Sequence, residues 1–314
     1  MVKILVTGGL GHLGTCLAER LSRGYEVTVL DNCSNHLENY KLSDAIRVLK
    51  GDIRDYDTVK KALKNTDFII HAAAQIDVER SIRDPIFDAD NNINGTLNLL
   101  EAARKQNNIK RFIYFSSAAI YGMPTYTPID EKHPTDPISP YGLSKLTGER
   151  YSLLYHKLYN LPVVCIRPFN IYSERQNPDN PYSGVISKFI KQIQLDQPLT
   201  IFGDGEQTRD FVHLRDVVSF VELVLENDYT IGDVFNIGTG KPTSINQLAS
   251  LLLKVFKSEE LGVIYKRERK GDIKHSVANI EHARRVGYDP KVSIEKGIEM
   301  MLKRKSMSST EENP

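Results

Sequence analysis

Val2-Lys3-Ile4-Leu5-Val6-Thr7-Gly8-Gly9-Leu10-Gly11-His12-Leu13-Gly14 decides how the chain folds. The apolar run over residues 2–7 reads as a buried strand, and Leu13, Leu17, Ala18 and Leu21 then recur at helical spacing until Gly24. Between strand and helix the glycines fall at 8, 11 and 14, a G-x-x-G-x-x-G spacing and not G-x-G-x-x-G. A second apolar run, Tyr25 to Leu30, ends at Asp31. Strand, glycine-rich turn, helix, strand and terminal acid make the first unit of a Rossmann-type, dinucleotide-binding sheet. Glycines let backbone approach a pyrophosphate, and a helix N-terminus offers it free N–H groups and the positive end of a dipole. Gly8, Gly11, His12, Leu13 and Gly14 are therefore the expected cradle, with the His12 side chain read as solvated or capping. Asp31 would accept hydrogen bonds from ribose hydroxyls and repel a 2′-phosphate, which favours NAD over NADP.

The alternation continues outward from this unit. Strands are expected over Ala45–Leu49, Asp67–His71, Arg111–Phe115, Val163–Arg167, Leu199–Phe202 and Val234–Ile237. Helices are expected over Asp57–Leu63, Asn91–Lys105, Tyr141–Tyr159, Gly184–Leu195, Val217–Leu225 and Asn246–Val255. This is an α/β chain with a doubly wound parallel sheet and a smaller mixed α/β domain. Residues 1–168 form the nucleotide-binding domain, to which 205–240 return. Residues 169–204 and 241–305 form the second domain, and 306–314 a polar, frayed tail. Asn170–Ser183, dense in Pro, Asn and Arg, reads as an ordered binding loop.

Composition narrows the function classes. Charged residues are 26% of 314 and the net charge is +1, so no long-range field selects nucleic acid or an anionic membrane. Three unevenly spaced cysteines, Cys16, Cys33 and Cys165, give neither a disulfide framework nor a zinc cluster, and fit a reducing cytoplasm. No signal peptide and no membrane-spanning apolar run is expected.

Ser139-Pro140-Tyr141-Gly142-Leu143-Ser144-Lys145 places Tyr141 and Lys145 one helical turn apart on one face. A phenol titrates near 10 and is a poor base at neutrality. An adjacent ammonium, and a positive cofactor nearby, would favour the phenolate. The same spacing also fits an ordinary surface pair. Ser117 follows the strand ending at Phe115, where ligands of open α/β sheets sit. Ala72, Ala73 and Ala74 follow another strand and leave room for a flat ligand.

These motifs together resemble the extended short-chain dehydrogenase/reductase family of NAD-dependent epimerases and dehydratases. The carriers are Gly8, Gly11 and Gly14, Asp31-Asn32, Gly51-Asp52-Ile53, His71-Ala72-Ala73-Ala74, Asn91-Asn92-Ile93-Asn94-Gly95-Thr96, Ser116-Ser117, Tyr141 with Lys145, and Arg167-Pro168-Phe169-Asn170. The UDP-hexose 4-epimerase branch is the nearest, on Asn170 to Gln176, Gly203 to Phe211, and Arg269 with Asp272. The resemblance implies Ser117, Tyr141 and Lys145 as catalytic residues. It implies Asn32, Asp52, Ile53, Ala72, Ala73, Ala74, Asn91, Tyr141, Lys145 and Pro168 at the cofactor. For a UDP-sugar it implies Ser117, Asn170, Val185, Lys188, Thr200, Phe202, Gln207, Arg209, Arg269, Asp272 and Ser276, with the two arginines at the diphosphate and Asp272 at the uridine ribose.

By the same resemblance Tyr141 takes the sugar 4-OH proton while hydride leaves C4 for NAD, Ser117 holds the same oxygen, and the ketone turns before hydride returns. Dehydratases of the family carry Thr-Asp-Glu where this chain has Ser117-Ala118-Ala119, so elimination of water is not expected. Ser276, small where the family varies in bulk, is expected to admit an N-acetylated sugar. A nucleotide-sugar 4-ketoreductase and a non-catalytic NAD-binding scaffold are the alternatives. Helices near 91–105 and 141–159 resemble those that pair across a homodimer in this family.

Overall fold

The computed structural model describes residues 1–35, 41–176, 184–269 and 271–308. The first half runs β1 (Lys3–Thr7), α1 (His12–Leu21), β2 (Glu26–Asp31), β3 (Arg47–Lys50), α2 (Tyr56–Ala62), β4 (Phe68–His71), α3 (Val78–Arg83), α4 (Pro85–Ala89), α5 (Gly95–Arg104), β5 (Arg111–Phe115), α6 (Pro140–Tyr159) and β6 (Val163–Pro168). Then come β7 (Asn170–Tyr172), α7 (Val185–Gln194), β8 (Leu199–Phe202), β9 (Thr208–Arg209), β10 (Phe211–His213), α8 (Leu214–Glu226) and β11 (Val234–Ile237). The chain ends with β12 (Thr243–Ser244), α9 (Ile245–Phe256), β13 (Val263–Lys266), β14 (His275–Ser276), α10 (Glu281–Arg285) and α11 (Ile294–Ser308).

Seven strands form one parallel sheet in the order β11-β6-β5-β4-β1-β2-β3. β4 and β5 are buried along their whole length, as continuous apolar strands covered on both faces are. Period-two alternation sorts β1 onto two cores. Ile4 and Val6 pack with Leu17, Leu21 and Phe220 on one side, and Leu5 packs with Ile69, Leu99 and Phe112 on the other. A third apolar cluster joins Ile186, Phe189, Ile201, Leu248, Leu252 and Ile298. Strand order reverses between β1 and β4, so the glycine-rich turn after β1 and the alanines after β4 face each other across a crevice.

Four expectations need correction. The helix read from Asn91 opens instead with a π-helical turn over Asp90–Asn94 before α5 continues it, a local widening that periodicity does not signal. α8 starts three residues before Val217 because the His213 ring accepts a hydrogen bond from Arg215 N at 3.2 Å and caps it. Asn170–Tyr172, read as loop, pairs with β10 as a strand, while 177–183 of that loop lie outside the described residues. The tail expected to fray from Ser306 is still α11 backbone to Ser308. Among the described residues no helix is long and apolar enough to cross a membrane.

Candidate active site

Ser139 caps α6, its Oγ accepting a hydrogen bond from Gly142 N at 3.1 Å, with Pro140 in the first turn. Two glycines let this helix lie close to β5 and to the turn that follows it. A Cβ on Gly142 would stand 2.7 Å from the Ala119 carbonyl oxygen, and one on Gly148 2.2 Å from Tyr114 Oη. Lys145 is 4% exposed, its Nζ 4.6 Å from the centre of the Tyr114 ring and its carbonyl accepting a hydrogen bond from Tyr114 Oη at 3.1 Å. Ser117 Oγ accepts from Ala119 N at 3.1 Å and lies close enough to the Tyr141 phenol to pull its pKa down. With one N–H entering that oxygen, the Ser117 proton is available to Tyr141 Oη. The structure thus brings Ser117 to Tyr141, with Lys145 one turn further along the same helix.

The electrostatics differ from expectation. Burial is the largest influence on the Tyr141 phenol and raises its pKa; the Ser117 hydroxyl pulls it down and the Asp88 charge pushes it up again. The net direction is upward, so the protein's own groups do not draw the phenol toward neutrality as the Lys145 spacing implied. Lys145 itself is pulled down to about 8 by burial, opposed by Asp88, Glu149 and Cys165.

On the other side of the crevice Gly8 adopts φ +68°, and a Cβ there would meet the Ala73 backbone at 2.7 Å. A Cβ on Gly14 would lie 2.0 Å from the Gly8 carbonyl oxygen. No side chain caps α1, whose N-cap is Gly11, so the first amides of that helix, at His12 and Leu13, are left for a ligand. Asp31 braces the turn: Oδ2 accepts from Leu10 N at 2.9 Å and Oδ1 from Cys33 N at 2.8 Å. Asn32 donates to Asp52 at 2.9 Å. Arg54 grips the same carboxylate at 3.0 and 2.8 Å, and its hydrogen bond is the main reason Asp52 falls to about 2. Ile53 packs beneath Gly95. Ala72, Ala74 and Pro168 are half-buried, whereas the Asn91 amide is turned onto its own helix, donating to Phe87 O at 2.7 Å.

His12 is neither solvated nor a cap. Its Nε2 is hydrogen-bonded to Ser173 Oγ at 2.6 Å, and burial is the main cause that lowers it to about 4. His71 is fixed as one tautomer. Thr96 Oγ1 donates to Asn92 O at 2.7 Å, so it accepts from His71 Nε2 at 2.9 Å, and Nδ1 accepts from Thr7 Oγ1 at 2.8 Å. Thr7 Oγ1 in turn accepts from Ala73 N at 3.3 Å, and so holds the backbone opposite Gly8. Burial lowers His71 from 6.5 to about 3. Above about pH 6.5 the ring is neutral folded or unfolded and contributes nothing to pH dependence. Below it the unfolded ring takes a proton that the folded one refuses, so stability falls with pH until about 3. Urea denaturation between pH 6 and 4 is expected to show a loss of about 1.4 kcal/mol per pH unit from this group. His71→Gln, which keeps one donor and one acceptor, should remove that share of the slope; an unchanged slope would contradict the assignment.

Of the remaining sequence-predicted residues, Phe202, Gln207 and Asp272 line a cavity of about 220 Å³, with Ile273 and Lys274 among its other walls. The Arg269 guanidinium lies 4.0 Å from the Phe202 ring centre. Arg209 and Asp272, expected to hold different parts of a ligand, form one ion pair at 2.6 Å, partly buried on both sides. Gln207 donates to Phe202 O at 2.8 Å. Ser276 is 9% exposed and pairs with Arg209 in the small sheet. Thr200 is turned toward α7, its Oγ1 accepting from Gln192 at 3.1 Å. Asn170 and Lys188 are exposed and Val185 is half-buried. From the sequence Gln75 and Asp88 have no role and Asn92 only a place in a motif, although Asp88, on α4, and Asn92, in the π-helical turn, are both buried.

A family model described as NAD dependent epimerase/dehydratase matches residues 4–238. The putative UDP-glucose 4-epimerase of Methanocaldococcus jannaschii is 39% identical, over 95% of this chain and 97% of its own. Among solved structures, a UDP-glucose 4-epimerase of Thermotoga maritima with UDP-glucose is 36% identical with TM-score 0.92, covering 98% of this chain and 100% of its own. A UDP-N-acetylglucosamine 4-epimerase of Methanobrevibacter ruminantium, in complex with UDP-N-acetylmuramic acid, is 35% identical with TM-score 0.92, covering 98% and 99%.

Proposed function

The chain belongs to the NAD dependent epimerase/dehydratase family, and on that premise we propose that it is a UDP-hexose 4-epimerase. The cradle fits the cofactor: a side chain at Gly8 or Gly14 would clash with backbone, and the N-terminus of α1 is left uncapped. Gly11, His12 and Leu13 would hold the pyrophosphate, Asp31 and Asn32 the adenosine ribose, Asp52 and Ile53 the adenine end, and Lys145 the nicotinamide ribose. NAD, when bound, supplies an acceptor that takes a hydride from the sugar and gives it back.

Tyr141 takes the proton of the sugar 4-OH and later returns it, with Ser117 donating to the same oxygen. The observation that carries the reading is Ser117 beside Tyr141, with Lys145 one turn on along α6 and only Ala118 and Ala119 following Ser117 in the turn. Alanine methyls supply no second acid or base, so chemistry at this centre is limited to reversible oxidation at one carbon. Arg209 and Arg269 would take the diphosphate, whose oxygens match guanidinium forks, and Asp272 the uridine ribose. Arg209→Ala is expected to raise KM for UDP-sugar about 10- to 100-fold with a smaller effect on kcat; steady-state kinetics check this, and an unaltered KM would remove Arg209 from the site.

The third apolar cluster marks the substrate domain of this reading. Exposed Leu143, Leu154 and Leu158 on α6, with Ile82 and Ile86 beside them on α3 and α4, favour a homodimer, which light scattering tests. Three free thiols favour the cytoplasm. The small Ser276 favours acceptance of N-acetylated sugars. Purified protein incubated separately with UDP-glucose and UDP-N-acetylglucosamine, with no cofactor added, should convert each to its C4 epimer on chromatography. Conversion of neither, with net NADH consumption by a 4-keto sugar, would favour a ketoreductase instead.

A further inference from the structure

Behind Tyr141 and Lys145 lies a closed polar cluster that the reaction as described leaves unused. Asp88, 1% exposed on α4, accepts hydrogen bonds at Oδ1 from Gln75 Nε2 at 2.8 Å and Asn92 Nδ2 at 3.3 Å. Asn92 Nδ2 is also 3.0 Å from Ser144 Oγ, and Asn92 Oδ1 accepts from Gln75 N at 2.8 Å. Ser144 directly precedes Lys145, and its Oγ donates to the Tyr141 carbonyl at 3.0 Å. The second oxygen, Asp88 Oδ2, is enclosed with no hydrogen-bond partner. A carboxylate buried in this way is costly unless a charge nearby compensates it.

We propose that Asp88 is a positioning residue for the proton transfer: enclosed between α4 and α6, its carboxylate compensates the Lys145 ammonium and sets the pH range in which Tyr141 and Lys145 work together. The other groups facing Lys145 are Glu149 from α6, Tyr114 from β5, Cys165 from β6 and His71 from β4. None of them does this work alone. Glu149 is committed to Arg167, at 2.9 and 2.6 Å. His71 is held neutral by its threonines, and burial keeps the Cys165 thiol and the Tyr114 phenol neutral. Asp77, next to Gln75, spends one oxygen capping α3, and its other oxygen is likewise enclosed. Of the charges that raise Lys145, Asp88 has the largest effect, and it raises Tyr141 as well. Removing it therefore lowers both groups together.

Asp88→Asn keeps the shape and the Oδ1 acceptor for Gln75 while removing the charge. The pH profile of kcat should move as a whole toward acid by about one pH unit, because the phenol ionises earlier and the ammonium is lost earlier. This readout rests on the epimerase reading, so a second one needs no substrate. In NMR of protein labelled at lysine Cε, with Lys145→Arg identifying the resonance, the Lys145 midpoint near 8 should fall by a similar amount. An unmoved profile and an unmoved midpoint, with only amplitude or Tm reduced, would make Asp88 purely structural and overturn the proposal. Absence of epimerase turnover with a shifted midpoint would overturn the proposed function and leave Asp88's role standing. Should Asp88→Asn fail to fold, Asp88→Ser removes the same charge with a smaller side chain and should move both readouts in the same direction; no movement overturns the proposal equally.

Discussion

Tyr141→Phe is expected to lower kcat by about three to four orders of magnitude while the protein keeps its fold and its NAD. The ring is retained, so packing changes little. What disappears is the only oxygen in the trio that can accept the sugar proton. Ser117 cannot replace it, because its Oγ already accepts from Ala119 N and a serine hydroxyl is a far weaker acid than a phenol. Lys145, with its pKa drawn down to about 8 by burial, is the one other group able to exchange protons near neutrality, and it bounds the residual rate. Steady-state kcat with Tm and NAD content on the same preparation checks this. Activity within tenfold of the parent would mean that Tyr141 is not the base.

Gly14→Ala is expected to be nearly as damaging, by a different route. Its Cβ would stand 2.0 Å from the Gly8 carbonyl oxygen and 2.5 Å from Gly9 Cα, and both are backbone. Gly8 cannot yield, because it is itself wedged against Ala73 in a left-handed conformation. The turn must open. Overpacking of this kind costs about 1–3 kcal/mol or more, and the displaced turn no longer presents the amides of α1 to a pyrophosphate. The protein should purify without nucleotide, seen as loss of absorbance at the nucleotide band after denaturation and filtration, and with lowered Tm. Full NAD content would contradict the close approach.

Local features were legible in the sequence because they are written in short spacings. The glycine turn, the strand alternation, the Ser117 position and the Tyr141–Lys145 turn each need no more than a few neighbouring residues. Pairings between distant segments were not legible. His12 finds Ser173 across 161 positions and Arg209 finds Asp272 across 63, and nothing local in either residue announces its partner. The direction of the Tyr141 shift was misread for a related reason. The i, i+4 spacing shows the ammonium but not the burial, and burial is the larger influence. Asp88 lies before the helix expected from Asn91 and carried no signal of its own; α4, packed on α6, buries it.

The central claim is reversible oxidation at one sugar carbon by a cofactor that never leaves. UDP-glucose carrying deuterium at C4, incubated with purified protein and no added nucleotide, tests it most directly. The account predicts UDP-galactose with the deuterium still at C4 and no net change in NADH absorbance. Deuterium exchanged with solvent, or product formed only when NAD is supplied, would contradict it.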